Sequence, residues 1–457
     1  MSQHTVDVVV LGMGPGGEAV AGTLAEAGLD VVGIDERLLG GECPYWGCVP
    51  TKMMIRAAQL LAEARRIPGM AGAVEVTPDW APVAQRIRDE ATDDWDDRVA
   101  VERFEAQGGR FVRGHGRFVA RDVIQVDGDV YRARRGVVVA TGTTPAVPPI
   151  PGLRDLPYWT NHQIVEVKEL PGSLVVLGGG AIGAELAQVM VRFGVAVTVV
   201  EALDRLVPPE EPEAGELLAE VFAGEGIVVR TGAKATQVRR DGDGFEVVLD
   251  GGDVVTGEQL LVATGRRTDL PGINAGELGI DSDARFLSVD GRGRGADGVW
   301  AVGDVTGVGA FTHVATHQAR IVADDILGKP AGGANDTAVP RVTFTDPEIG
   351  SVGLTQQAAQ ESGRRVRVAT AKVPSSARGW IHKAGNEGLI KLVEDVDAGV
   401  LVGATSMGPA GGEVLSMLTL AVHAKVPVDR LANMIYAYPT FHRAVSDAVA
   451  DLRSSDG

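Results

Sequence analysis

The feature that most constrains how this chain can fold is a pattern that occurs twice. The mostly β-branched run Val6–Leu11, interrupted only by Asp7, leads into Gly12-Met-Gly14-Pro-Gly16-Gly17. The helical stretch Glu18–Ala27 follows, Gly28 stops it, and a second apolar run, Val31–Asp35, ends in an acid. The order returns later: Ser173–Leu177, then Gly178-Gly-Gly180-Ala-Ile-Gly183, then the helical stretch Ala184–Phe193, then Val195–Val200 ending at Glu201. Ala140-Thr141-Gly142 is echoed by Ala263-Thr264-Gly265. A strand, a G-x-G-x-x-G turn, a helix and a strand closed by an acid form a dinucleotide-binding unit. In the first copy Gly12 allows the tight turn, Gly14 lets backbone approach a pyrophosphate, and Gly17 lets helix and strand pack closely. Asp35 is placed to accept hydrogen bonds from an adenosine ribose. The duplication predicts an α/β chain with two Rossmann-like halves, each with its own nucleotide.

Glu201 bears on which nicotinamide nucleotide the second half takes. A carboxylate there pairs with ribose hydroxyls and repels a 2′-phosphate. Like charges about 4 Å apart cost on the order of 4 kcal/mol at an effective dielectric near 20. The expectation is NADH over NADPH, with Arg205 close enough in sequence to offset part of that cost.

The stretch Gly40–Lys52, GGECPYWGCVPTK, holds the only two cysteines, Cys43 and Cys48. Zinc needs more ligands than this pair offers, and the sequence has no second cysteine pair or histidine cluster to supply them. A chain of 457 residues can bury a core without a disulfide staple. A redox dithiol is the remaining chemistry, against the plain alternative of two buried cysteines. Cys48 opens the helical run CVPTKMMIRAAQLLAEARR, where the positive end of the helix dipole favours a thiolate. Pro68 ends that helix.

A net charge of −18 argues against a nucleic-acid partner or an anionic membrane surface. No apolar run reaches the length of a bilayer span, and the start MSQHTVDVVVLG lacks the pattern of a signal peptide, so the expected location is cytoplasmic. Asp79–Ala106 reads as one long acidic helix. Its Asp93, Asp94, Asp96 and Asp97 suit a solvated face better than a metal site, and no metal is expected. Phe111–Ala120 and Val123–Ala140 read as strands with turns. The Pro-rich stretch Thr143–Gly152 is a candidate boundary. A short strand Val299–Val302 enters Gly303-Asp304, followed by a helix over His317–Leu327 and a linker over Gly328–Asp336. Beyond it, strands at Val339–Thr345, Arg364–Val373, Leu389–Val393 and Val400–Ser406, with helices near Ala410–His423 and Phe441–Leu452, predict an α+β domain.

Two fingerprints with a C-x4-C motif after the first, and Gly-Asp near the return, resemble the flavoprotein disulfide reductases: dihydrolipoamide dehydrogenase, glutathione reductase and mercuric reductase. The resemblance covers nearly the whole chain. It implies FAD on the first unit, a nicotinamide nucleotide on the second, and a C-terminal domain that forms a homodimer. The second nucleotide domain is then inserted in the first. The expected domains are 1–150 with 271–335 for FAD, 151–270 for NAD(P), and 336–457 for dimerisation. Gly12, Gly14, Gly17, Asp35, Thr141, Gly142, Gly303 and Asp304 fall on the FAD side, with Asp304 near the ribityl phosphate. Gly178, Gly180, Gly183, Glu201 and Gly265 fall on the nicotinamide side. The resemblance further implies that Cys48 is the thiol against the flavin and Cys43 the exchange thiol. Lys52 and Glu185 match a pair near the flavin's redox edge; singly they read as an exposed helix charge and a helix-start acid. Thr345-Asp-Pro-Glu348 and Gly408-Pro409 match the dimer-domain signature. Hydride from NADH is expected to pass by way of FAD to a Cys43–Cys48 disulfide.

The sequence departs from this family where His-Pro-Thr-x-x-Glu is expected. It has Tyr438-Pro439-Thr440-Phe441-His442-Arg443 instead. A positioned acid/base contributes roughly 10²–10⁴-fold, and a phenol with a reference pKa of about 10 is a poor base at neutral pH. His442, four positions on, would replace the missing histidine if a helix carried both positions to one face; otherwise it is a surface or packing residue. Pro44-Tyr45-Trp46 between the cysteines offers rings for a flat substrate or for packing. With two cysteines, neither the extra thiol pair of mercuric reductases nor a thioredoxin-reductase-type C-terminal centre is available. Three readings follow. The first is an NADH-dependent FAD enzyme whose small-molecule electron acceptor is a quinone or similar flat molecule. The second is a disulfide reductase that uses His442. The third is a flavin-bound dithiol sensor without useful turnover.

Overall fold

The computed structural model describes residues 2–281, 283–330, 332–334 and 336–454. Ala331 and Asn335 of the expected linker, and residues 455–457 of the expected third domain, lie outside the described residues. The chain packs into two compact units.

The first unit comprises Met1–Thr51, Gln85–Ala146 and Arg266–Asp336. Its eight-stranded sheet runs in the order Arg294–Ala296, Val299–Ala301, Asp129–Val139, Gln3–Leu11, Val31–Asp35, Arg110–Arg113. Every neighbouring pair from Val299–Ala301 onward is parallel. Strands Arg117–Ala120 and Val123–Val126 extend the sheet antiparallel from Asp129–Val139. Apolar residues cover both faces, as a parallel sheet requires. Val6, Val9 and Leu11 join Ile34, Val137 and Val139 on one side, while Val8 and Val10 join Val20, Leu24, Val31 and Val138 on the other. The shift of phase between Val6 and Val8 is a β-bulge at Asp7. The bulged carboxylate accepts from Asp30 N at 3.0 Å, and that backbone bond, with Arg134, holds Asp7 below the usual carboxylate range. Thus the one polar residue in the apolar run Val6–Leu11 is where the strand breaks register.

The second unit comprises Lys52–Ala84, Val147–Gly265 and Thr337–Gly457. A parallel four-stranded sheet has the order Val228–Arg230, Ala196–Val200, Ser173–Leu177, Gln259–Val262. A three-stranded antiparallel sheet, Ala235–Asp241, Gly244–Leu249 and Val254–Gly257, packs on it through Leu153, Val238, Phe245 and Val247. A separate antiparallel sheet is ordered Pro340–Thr343, Glu348–Gly353, Val400–Gly408, Leu389–Asp395, Val366–Lys372. Helices Gly411–His423 and His442–Ser454 bury Leu415, Leu418, Val445, Val449 and Leu452 against it. The fold is therefore mixed α/β: dinucleotide-type parallel sheets plus an antiparallel α+β part.

Several elements differ from expectation. The long acidic helix over Asp79–Ala106 is broken. It consists of Ala81–Arg86, a π-helical turn Ile87–Ala91, a left-handed turn, and Arg98–Ala106. Asp93, Asp94 and Trp95 all have positive φ, a conformation that Asp tolerates better than most residues and that ends a right-handed helix. Asp97 is not on a solvated face but 6% exposed. The run Phe111–Ala120 splits because Gly114, at φ +158°, turns its amide onto Asp35 O at 2.8 Å. The helix expected from His317 begins at Thr312, because packing outweighs the weak helix propensity of Thr312, Val314 and Thr316. The strand Glu348–Gly353 and the short helix Ala377–His382 carry no clear periodicity and were not expected from sequence.

Candidate active site

Both glycine fingerprints fold in the same way. Gly12 has φ +94° and Gly178 has φ +103°; a Cβ on either would stand 2.4 Å from a carbonyl, that of Ala140 or of Ala263. The two Ala-Thr-Gly echoes thus mark where a neighbouring strand end passes under each turn. A Cβ on Gly17 would lie 2.0 Å from Gly12 O, and one on Gly183 2.0 Å from Gly178 O. By contrast, nothing lies within 4 Å of a Cβ at Gly14 or Gly180. These glycines cap helices Pro15–Glu26 and Ala181–Arg192 without any side-chain cap. The amides of each helix's first turn therefore face open space, which suits a pyrophosphate. Each acid is tied to its own fingerprint. Asp35 accepts from Met13 N (2.7 Å) and Arg37 N (2.8 Å); Glu201 accepts from Gly179 N (2.6 Å) and Leu203 N (2.8 Å). Burial raises the Asp35 carboxyl above its ordinary value, partly offset by those two amides. On this test the residues present fit two dinucleotides.

In the first unit, Thr141 and Gly142 are half-buried and Asp304 is the second residue of the short 3₁₀ turn Gly303–Thr306. Thr143 Oγ1 donates to Asp304 Oδ2 at 2.7 Å, and Arg266 binds Thr143 through Nε and Nη2. Arg266 also reaches Glu42 at 3.4 Å. Thr143 and Arg266 were missed in the sequence, although each directly follows one of the two Ala-Thr-Gly echoes. Gly303, buried at φ +79°, donates its amide to Gln318 Oε1 at 2.7 Å.

The loop that carries both cysteines is built from a short helix, Glu42–Tyr45, and the start of helix Cys48–Arg66. Cys43 is half-buried, Cys48 is exposed, and the pair is in the dithiol form. Cys48 heads its helix, where the dipole favours a thiolate. Thr312 Oγ1, on the first residue of helix Thr312–Ile326, lies 3.6 Å from Cys48 Sγ. The hydrogen bond to Cys48 and burial push the Cys43 thiol well up, so Cys43 holds its proton. Tyr45 is buried, at 6% exposure, so its ring packs rather than facing a substrate; Trp46 is half-exposed.

In the second unit, Lys52 Nζ donates to Glu185 Oε2 at 2.8 Å. The other oxygen of Glu185, a 6%-exposed side chain, accepts from Phe344 N at 2.8 Å. Lys52 Nζ also lies 4.8 Å from the Phe344 ring centroid. The pair is therefore a partly buried ion pair with both carboxylate oxygens satisfied, and the separate readings of the two residues as an exposed charge and a helix-start acid do not hold.

Residues 6–319 match the family model described as pyridine nucleotide-disulphide oxidoreductase, and residues 339–449 match its dimerisation domain. The chain belongs to that family. A dihydrolipoyl dehydrogenase from Chlorobaculum tepidum is 33% identical, covering 99% of this chain and 98% of the relative. A mercuric reductase from Streptomyces lividans is 32% identical with the same coverage of each. Among solved structures, the HOCl-induced flavoprotein disulfide reductase RclA from Escherichia coli superposes with a TM-score of 0.85 at 26% identity, covering 99% of this chain and all of that one. LpdA from Mycobacterium tuberculosis gives 0.83 at 27% identity with the same coverage. The protein is an enzyme, an FAD-dependent oxidoreductase that uses a pyridine nucleotide. No described helix is long and apolar enough to cross a membrane.

In this oxidoreductase the C-terminal stretch differs from the expected helical arrangement. Tyr438 is 73% exposed and lies in a turn with a cis peptide to Pro439. Helix His442–Ser454 begins only at His442. Tyr438 and His442 therefore do not share a helix face, because Pro439 and the Thr440 Oγ1 bond to Ala437 O hold residues 438–441 outside the helix.

Proposed function

We propose that this oxidoreductase takes electrons from NADH, carries them on Cys43 and Cys48, and delivers them to a flat small molecule of the quinone class rather than to a standard disulfide. FAD, when bound, supplies the two-electron chemistry between a nicotinamide hydride and a disulfide. The protein's part is to hold the two dinucleotides at Gly14 and Gly180, keep Cys48 at a helix start, and keep a proton on Cys43. The observation that carries the reading is the stretch Tyr438–Arg443. Disulfide exchange needs a base to activate Cys43, whose proton is held unusually tightly, and an exposed phenol stands where an imidazole would do this. Preference for NADH is supported by Glu201. Glu201 is 8% exposed and its carboxylate is fixed by two amides, while Arg205 is turned away to Pro208 O at 3.0 Å and Asp204 at 3.2 Å. The dimerisation domain supports a homodimer, to be checked by sedimentation.

An anaerobic NADH titration with thiol counting tests the entry side. Two thiols appearing with a long-wavelength flavin band place the pair on the electron path; direct bleaching without thiols removes the pair from it. Turnover with quinones, with lipoamide and with Cu(II), the ion in a solved RclA complex, tests the exit. An enzyme that reduces no quinone or dye sinks the proposal. The second reading, a disulfide reductase, rests on the half-buried His442 and is rejected if His442→Ala leaves disulfide turnover unchanged.

A further inference from the structure

The acidic segment that breaks its helix has an explanation in the loop that carries the cysteines, all within the first unit. After the π-helical turn Ile87–Ala91, Asp94 N bonds back to Arg88 O at 2.8 Å. Asp93, Asp94 and Trp95 then take φ of 49°, 54° and 57°. Three successive non-glycine residues in the left-handed region are costly, and a bulky Trp there is an outlier. The turn delivers two side chains to that loop. Trp95 Nε1 donates to Tyr45 O at 3.2 Å, between Cys43 and Cys48. Asp97 Oδ2 accepts from Leu39 N at 2.6 Å, four residues before Cys43. Asp97 is itself fixed by Arg113 Nη2, 2.7 Å from both carboxylate oxygens.

We infer that residues 93–97 form a strut that holds the Leu39–Tyr45 backbone in its dithiol conformation, so that Trp95 and Asp97 are positioning residues that set the redox poise of Cys43–Cys48. They act through backbone, at Tyr45 and Leu39. Closing the pair forms one S–S bond, releases two electrons and two protons, and draws the two sulfurs to about 2.05 Å. That movement pulls on the segment between the cysteines, which the strut holds in its present form. The strut therefore favours the dithiol, and its removal favours the disulfide. The inference rests on the proposed role of the pair in electron transfer, but its test does not depend on NADH.

The FAD-loaded protein is equilibrated anaerobically in glutathione buffers, where each disulfide formed on the protein converts one glutathione disulfide to two thiols. Remaining protein thiols are counted by alkylation and mass. Trp95→Phe, which keeps the aromatic ring and loses the N–H, is expected to shift the equilibrium at least tenfold toward the disulfide, about 30 mV for a two-electron couple. Trp95→His, which retains a ring N–H, is expected to recover at least half of that shift on a logarithmic scale. In the wild-type protein, amide exchange over residues 38–46 is expected to be slower in the dithiol than in the disulfide form; this comparison decides the matter if the variants fail to hold FAD. The inference is overturned if Trp95→Phe stays within twofold of wild type, if Trp95→His shifts as far as Trp95→Phe, or if exchange is equal in the two redox states. A failed NADH titration would sink the proposed function and leave this equilibrium as it is.

Discussion

At the scale of single residues, the two thiols differ sharply in their surroundings. Cys48 sits at a helix start, near Thr312 Oγ1; Cys43 is half-buried and its hydrogen bond to Cys48 raises its pKa. An ordinary thiol has half its population reactive near pH 8.5. Alkylation of Cys43 is therefore expected to lag behind Cys48 throughout pH 7–9 and to keep rising above that window, as a mass-resolved alkylation time course would show; equal rates would contradict the assignment. The same contrast predicts what restores disulfide exchange. Tyr438→His with Arg443→Glu rebuilds a base and its orienting acid, and is expected to raise lipoamide turnover about 10²-fold, within the range of a positioned acid/base. Turnover that stays within a factor of three of wild type would mean that base catalysis is not what limits exchange.

At the scale of elements, the two fingerprints were legible because each glycine answers a local steric demand, and those demands recur at fixed spacing. The same clashes appear in both copies, to within a tenth of an ångström at Gly17 and Gly183. The left-handed turn at Asp93–Trp95 was not legible. Its residues have the composition of a solvated helix, and the bonds that make the turn worthwhile go to Leu39 and Tyr45, some 50 residues away. The Lys52–Glu185 pair was legible only through family resemblance, since 133 residues separate the partners. The open second glycines give a test that separates the two halves. Gly14 and Gly180 have φ of −67° and −70°, which any residue adopts, so a side chain fits the fold and fills only the open space. Gly14→Val is expected to yield folded protein without FAD. Gly180→Val is expected to yield yellow, FAD-loaded protein whose reduction by NADH needs at least tenfold more NADH. Equal FAD content in the first variant, or unchanged NADH dependence in the second, would refute the assignment of halves.

At the scale of the whole molecule, the large excess of acid over base is not spread evenly as solvated surface; some of it is buried and must be balanced. In the second unit Lys391, on strand Leu389–Asp395, is 2% exposed and bonds Glu211 at 2.9 Å and Glu213 at 2.7 Å. Glu211 is equally buried and also accepts from Gln356 N at 2.7 Å. This one ammonium therefore ties helix Pro212–Gly224 and its cap to the antiparallel sheet. Burial pushes the Glu213 carboxyl up, but the Lys391 ion pair outweighs it and holds the group below the usual carboxylate range. A depressed carboxylate stabilises the fold above its unfolded pKa and ceases to do so as pH falls through its folded value, so this contribution is lost on acidification below about pH 4.5. Lys391→Met leaves Glu211 buried beside a second carboxylate with no cation, which should cost about 3–5 kcal/mol. The expected result is a fall of several degrees in the unfolding temperature of the FAD-loaded protein at pH 7. Adding Glu211→Gln and Glu213→Gln removes the uncompensated charge and should restore most of the loss, because replacing every partner of a buried ion pair is far milder than replacing one. If the triple variant is no more stable than Lys391→Met, the loss comes from packing of the lysine stem, and the ion triad does not hold these elements together.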